Sequence, residues 1–230
     1  MIKKLTSYFS KGEIALWLCS ELIIIFSNIF IKSDGYLSLI ASVIGVTALI
    51  FNAKGNPIGP GLMIFFALIY GYISYTFSYY GEMLTYVCMS LPMAVVSLIS
   101  WLKNPYKGNK AEVTINFKIT KKELVFLAFL ALAVTAVFYF ILKHFNTANL
   151  IPSTISVTTS FIAVYFSFRR SPFFALGYMA NDVVLIMLWL LAAATDPSYF
   201  SVVICFAAFL ANDTYSFINW HRIGKRQAAQ

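Results

Sequence analysis

Eight apolar runs, each about as long as a bilayer is thick, follow one another along this chain and leave it little freedom to be anything but a membrane protein. They lie near residues 14–31, 36–53, 58–78, 83–101, 123–143, 150–168, 172–194 and 199–220. A hydrocarbon core about 30 Å thick takes roughly 20 apolar residues as a helix. Inside it, backbone N–H and C=O groups must be satisfied without water, which leaves helices or closed barrels. The runs are continuous rather than alternating, and about twice the length of a barrel strand. The sequence therefore predicts an all-α, polytopic helical bundle of eight transmembrane helices, a single transmembrane domain over residues 1–230. Composition agrees, at 60% hydrophobic and 11% charged with a mean hydropathy of +0.78, where a soluble domain carries about 25% charged residues.

Threading the runs through a membrane places Lys3, Lys4, Lys11, Lys54, Lys103, Lys107, Lys110, Lys118, Lys121, Lys122, Arg169, Arg170, Arg222, Lys225 and Arg226 on one side, with only Lys32 and Lys143 on the other. Cytoplasmic loops carry the Lys and Arg excess, which predicts both termini in the cytoplasm. Adding or removing one span in the middle would scatter these charges over both faces, so the asymmetry also supports the count of eight. The net charge of +8 follows from topology and contact with anionic lipid heads, with no nucleic acid as a partner. The first run follows a short basic segment, as a signal peptide does, but it is long, contains Glu21 and lacks a small-residue cleavage site. It reads as a retained span.

Cys19, Cys88 and Cys205 sit in three different runs without a Cys-x-x-Cys pair, and His144 and His221 lie at helix ends on opposite sides. Buried free thiols are the simplest reading, with no metal site and no catalytic dyad. No cofactor is expected.

The chain also repeats itself. Ser42-Val43-Ile44-Gly45-Val46 matches Ser160-Phe161-Ile162-Ala163-Val164, and Ile99-Ser100-Trp101 matches Ile218-Asn219-Trp220, with nearly equal lengths between. Each copy enters its second helix at a proline, Pro57 or Pro172. This divides the chain into repeat one (36–101), a linker helix (123–143) and repeat two (150–220), with an extra N-terminal helix at 14–31. Three spans reverse the side of the chain, so one linker span makes the repeats parallel. Parallel repeats are a standard transporter construction, with the substrate near mid-membrane where they meet. The Lys-rich stretch from Leu102 to Lys122 is the sizeable linker.

Glu21, Asp182 and Asp213 fall inside apolar runs with no Lys or Arg there to pair with them. A central ionised carboxylate costs about 2.5–3.5 kcal/mol on insertion scales and usually faces a cavity, a partner or a translocation path. Glu21, about two turns into its helix, reads as snorkelling or locally hydrogen-bonded. Asp182 shares a helix face with Tyr178 and Trp189 by spacing, next to Asn181. Asn212, Asp213, Ser216 and Asn219 form overlapping stripes on the last helix. For these acids and amides, hydrogen bonding between helices rivals ligand contact on equal terms. Trp101 and Trp220, near helix ends, read as interfacial-belt residues. Tyr70, Tyr75 and Tyr86 lie deep enough to offer a ring and a hydroxyl to a planar ligand or to packing, whereas Tyr79 and Tyr80 are interfacial. Ser153, Thr154, Ser156, Thr158, Thr159 and Ser160 open the sixth run with small polar residues, suited to close helix approach or a wet lining. Pro92 interrupts a helix at mid-span. Small-solute transport is the leading class, ahead of a membrane enzyme and a structural or assembly subunit. No phosphate-binding loop for ATP is present.

At Phe51-Asn52-Ala53-Lys54-Gly55-Asn56-Pro57, Tyr70-Gly71-Tyr72-Ile73-Ser74-Tyr75, the stretch from Tyr86 through Pro92-Met93 to Trp101, and Asn212-Asp213-Thr214-Tyr215-Ser216-Phe217-Ile218-Asn219-Trp220, the chain resembles the PnuC family of bacterial vitamin transporters. The resemblance implies a fold related to SWEET sugar carriers, three helices, a linker and three more, in the bacterial plasma membrane. It implies nicotinamide riboside uptake by facilitated diffusion, trapping by a cytoplasmic kinase, and a homotrimer. Relatives in the family carry thiamine or deoxynucleosides instead. Members that carry nicotinamide riboside tend to place two Trp and an Asn early in the second helix of repeat two. The matching positions here are Phe174, Gly177 and Asn181, so only the Asn is kept. The expected substrate-binding set is Asn181, Asp182, Asn212, Asp213, Tyr70, Tyr75, Tyr86, Phe174 and Trp189.

Overall fold

The computed structural model describes residues 8–31, 36–76 and 80–230; Lys3, Lys4, Lys32 and Tyr79 of the sequence reading lie outside them. Among the described residues there are eight helices long and apolar enough to cross a membrane. They are α1 (Lys11–Ile31), α2 (Tyr36–Ala53), α3 (Ile58–Thr76), α4 (Tyr80–Lys103), α5 (Lys121–His144), α6 (Leu150–Phe168), α7 (Phe173–Ala193) and α8 (Phe200–Ala228). Every expected run is thus a helix. The largest departure is α8, which continues well past Trp220. The linker after α4 is ordered: β1 (Pro105–Tyr106) pairs antiparallel with β2 (Asn109–Val113).

Six helices form a closed ring, each packed on the next: α2, α3, α4, α6, α7, α8 and back to α2. Outside it, α1 covers the seam between α2 and α8, and α5 covers the seam at α6 and the start of α4. Close approach depends on small residues. A Cβ on Gly177 of α7 would lie 2.7 Å from the Ala163 Cα of α6, so these two backbones touch. That contact leaves no room at Gly177 for a large side chain.

Both outer helices start on the same device. Ser10 Oγ accepts from Glu13 N at 3.2 Å while Ser10 N donates to Glu13 Oε2 at 2.6 Å, a reciprocal cap that satisfies two otherwise orphaned N–H groups. Thr120 Oγ1 accepts from Glu123 N at 3.2 Å. Each glutamate then reaches a base just after the neighbouring helix: Glu13 pairs with Lys54 at 3.2 Å, and Glu123 pairs with Arg169.

The loops after α2 and α6 are also alike. Asn56 N donates to Phe51 O and Ser171 N to Phe166 O, and both loops turn at a positive φ, at Gly55 (65°) and Arg170 (56°). The linker stitches both, since Val113 N donates to Gly55 O and Asn116 N to Arg170 O, each at 2.9 Å.

Trp101 and Trp220 sit between these loops, and this corrects the interfacial reading. Both are 0% exposed, with ring centroids 5.3 Å apart. Trp101 Nε1 donates to Ser167 O of α6 at 2.8 Å, and Trp220 Nε1 to Asn52 O of α2 at 2.7 Å. Each indole therefore occupies a carbonyl near the end of a helix in the other half of the chain. A buried Trp needs such a partner for its N–H, and these bonds pull both rings inward from the lipid boundary.

Candidate functional site

The ring helices enclose a cavity of about 280 Å³, at the lower edge of the range of roughly 300–1,000 Å³ for small-molecule pockets. Its floor and walls alternate between two chemistries. On one side Phe66 and Tyr70 of α3 and Tyr86 of α4 form an aromatic slab, with Tyr70 and Tyr86 stacked at 5.4 Å and Phe66 4.7 Å from Tyr70. Across from it α7 brings Tyr178, Asn181, Asp182 and Trp189, and α8 brings Asp213.

The acids are held where water does not reach freely. Asp182 is 3% and Asp213 1% exposed. Asp182 Oδ2 and Asp213 Oδ1 are buried without a hydrogen-bond partner. Asn181 is oriented from α6, where Ser156 Oγ (3.0 Å) and Thr159 Oγ1 (2.9 Å) both donate to its Oδ1. Two hydroxyls on the carbonyl side leave the amide hydrogens as donors toward the cavity.

Small hydroxyls complete the lining. Ser153, Ser156, Ser160 and Ser167 of α6 recur at helical spacing on one face, and Thr85, Ser90 and Ser97 of α4 also line the wall. Residues Thr85–Ser90 of α4 form a π-helical segment. It ends just before Pro92, whose missing N–H and ring bulk break the regular ladder, so the widened turn accommodates the mid-span proline. π-bulges of this kind recur at functional sites.

Six of the nine expected residues meet on this cavity: Tyr70, Tyr86, Asn181, Asp182, Trp189 and Asp213. The other three stand away from it. Asn212 points at α1, with Nδ2 donating to Ser20 Oγ at 2.9 Å and to Ala208 O at 2.8 Å, so it holds helices together. Tyr75 is 58% exposed on the outside of the bundle. Phe174 is fully buried against Trp220, with ring centroids 4.6 Å apart, and belongs to the tryptophan cluster below the cavity. Glu21 is off the cavity as well, accepting from Trp17 Nε1 and Thr47 Oγ1 at 3.1 Å each.

Glu82 was missed by sequence reasoning. It lines the cavity near Tyr86, because Gly81 packs closely on Leu142 of α5 and Thr147 and turns the start of α4 inward. At the margin of an apolar run it reads as a loop acid. The available signal was the lack of any nearby base. Among the described residues no group of three or more His, Cys, Asp or Glu could hold a metal.

Comparison with known proteins agrees with this architecture. A family model described as nicotinamide mononucleotide transporter matches residues 35–222. The nicotinamide riboside transporter PnuC of Neisseria mucosa is 26% identical over 220 residues, 94% of this chain and 83% of the relative. That of Haemophilus influenzae is 22% identical over 193 residues, covering 84% and 82%. A crystal structure of the vitamin B3 transporter PnuC superposes with a TM-score of 0.80 at 23% identity, covering 95% of this chain and 94% of that one. Eight membrane-length helices closed around a polar cavity, a family match across most of the chain and these relatives lead to one conclusion: the chain is a multi-pass membrane transporter and belongs to the nicotinamide mononucleotide transporter family, that of PnuC.

Proposed function

We propose that the chain carries nicotinamide riboside, or a nucleoside-like vitamin of the same chemistry, through this cavity by facilitated diffusion, and that a cytoplasmic kinase traps the arriving molecule. The observation that carries the reading is the pairing of an aromatic slab with buried acids that have no Lys or Arg opposite them. A flat cationic ring is attracted to aromatic faces and to carboxylates, while a ribose finds donors and acceptors in Asn181 and the serine hydroxyls. The named relatives carry nicotinamide riboside in their descriptions. The second reading, thiamine or a deoxynucleoside, is favoured by Phe174, whose ring is buried against Trp220 and away from the cavity, and by Gly177, which has no ring, at the two positions where riboside carriers of the resembled family tend to have Trp. Uptake by proteoliposomes of radiolabelled nicotinamide riboside, thiamine and thymidine separates these. Nicotinamide riboside uptake supports the first reading, preference for another solute selects the second, and no uptake of any leaves a structural subunit.

The architecture behind this reading is a parallel duplication with the termini cytoplasmic, as the basic residues of that end suggest. The exchanged Trp101 and Trp220 bonds and the like loops at Phe51–Pro57 and Phe166–Pro172 support it. In that loop register, the sequence match of Ser42–Val46 with Ser160–Val164 is about one helical turn out. The duplication extends further than three helices. With their capped glutamates, matching bases and matching seams, α1 and α5 stand as counterparts, so the units are α1–α4 and α5–α8. Four crossings return the chain to its starting face, and the second unit then needs no separate linker span.

A further inference from the structure

We propose that the groove between the ends of α4 and α6, at the basic end of the bundle, binds the headgroup of an anionic phospholipid. It has about 420 Å³ of space, with Val96, Ile99 and Lys103 on one wall and Phe168, Arg169 and Arg170 on the other. It shares no lining residue with the central cavity, so the inference does not depend on which solute that cavity carries.

The groove exists because the two halves of the chain close their seams differently. In the register that matches Trp101 with Trp220, and residues 51–57 with 166–172, Ser100 corresponds to Asn219 and Phe168 to Ala53. Their bonds repeat: Ser100 Oγ donates to Phe168 O at 2.7 Å, and Asn219 Nδ2 to Ala53 O at 2.8 Å. At the seam of α2 and α8, α1 ties both walls together, because Glu13 pairs with Lys54 at 3.2 Å and accepts from the Tyr215 hydroxyl at 2.7 Å. The position of Tyr215 is taken in α4 by Val96, which has no group to offer α5. Glu123 accordingly accepts from the Tyr165 hydroxyl at 3.1 Å and pairs with Arg169, both on the α6 side. Since α5 meets α4 at its start, at the far end of the bundle, this end of the seam stays open to lipid.

Its charge is uncompensated. Arg169 is taken by Glu123, but neither Lys103 nor Arg170 has an acid partner among the described residues. Arg170 Nε is also buried without an acceptor. The negative ends of α4 and α6 favour a base there, yet they leave that N–H unsatisfied, which is costly. A phosphate supplies the missing acceptors, since its oxygens take parallel bonds from a guanidinium and pair with an ammonium as a point charge. One and two turns further into the membrane, Ile99 and Val96 are 46% and 40% exposed, an apolar track in line for an acyl chain. A free anion would leave that track bare, whereas basic pockets between membrane helices suit anionic lipid heads.

The test is native mass spectrometry of the full-length protein in detergent, titrated with phosphatidylglycerol, phosphatidylcholine or inorganic phosphate. The wild type is expected to hold phosphatidylglycerol about thirtyfold more tightly than phosphatidylcholine, and Lys103→Gln or Arg170→Gln each to lose roughly fivefold. Lys110→Gln, which removes a base outside the groove, should leave retention unchanged. Val96→Tyr, which restores the bridging residue of the other seam, keeps every charge and should displace the lipid. The comparison of lipids on the wild type stands even where a variant fails to fold. Equal retention of the two lipids, displacement of phosphatidylglycerol by inorganic phosphate, or retention unchanged in both glutamine variants overturns the proposal. So does an oligomer that dissociates in Val96→Tyr, which would assign the groove to a second copy of the chain.

Discussion

The basic end of the bundle and its membrane interior treat acids in opposite ways. At the basic end Glu13, Glu112 and Glu123 are each paired with a base, Lys54, Arg226 and Arg169, and the linker strands tie both halves together there. In the interior Glu21, Glu82, Asp182 and Asp213 face no base. Of the buried side-chain atoms left without a partner, those of Asn52, Ser97, Asp182 and Asp213 all lie on the cavity wall. A protein selected only for stability would not keep unpaired acids in hydrocarbon, where apolar residues cost less. The basic end is organised for holding the helices, and the interior keeps polar capacity unspent on the cavity wall, where we propose the ligand binds.

The sharpest way to break this contrast is at the tryptophans. Trp101→Ala or Trp220→Ala is expected to destabilise the bundle by about 3–5 kcal/mol, measured by thermal or denaturant unfolding in detergent. The double variant should cost less than the sum, because the rings touch. A stability loss of that size at the acids instead would abolish the division of labour. Asp182→Asn and Asp213→Asn should weaken binding of nicotinamide riboside by about tenfold or more, or about 1.4 kcal/mol, while leaving the unfolding midpoint unchanged or higher. Ser156→Ala combined with Thr159→Ala frees the Asn181 carbonyl, and at about 1 kcal/mol should lower affinity roughly fivefold. Asn212→Ala should cost about 0.6 kcal/mol of stability, the mean for hydrogen bonds between membrane helices, with affinity unchanged in the same titration. Smallest is Glu112→Gln: its partner Arg226 is half-exposed, so unfolding should shift by less than about 1 kcal/mol, and less still at high salt.

The eight spans were legible because burying backbone in lipid leaves one solution per run, and length and hydrophobicity suffice to find it. Asp182 and Asp213 were legible for a related reason, since a carboxyl inside such a run is costly wherever it points. Direction was not legible. Asn212 and Asp213 are adjacent in sequence, yet one faces α1 and the other the cavity, and in a helix that is apolar on nearly every side no hydrophobic stripe marks the inner face. Tyr75 and Tyr70 were separated in the same way, one to the outside and one to the slab.

By itself, then, the sequence determined that this chain crosses a membrane eight times, that its basic residues gather at one end, and that it carries acids without bases. The reason is that solvation by lipid acts on each segment separately. Tertiary structure alone decided that Trp101 and Trp220 leave the lipid boundary to cap each other's half, that Glu82 turns inward on Gly81, and that six helices close a ring with α1 and α5 outside. Those outcomes depend on which faces meet, and contact between segments far apart in the chain is set by packing, which no single run encodes.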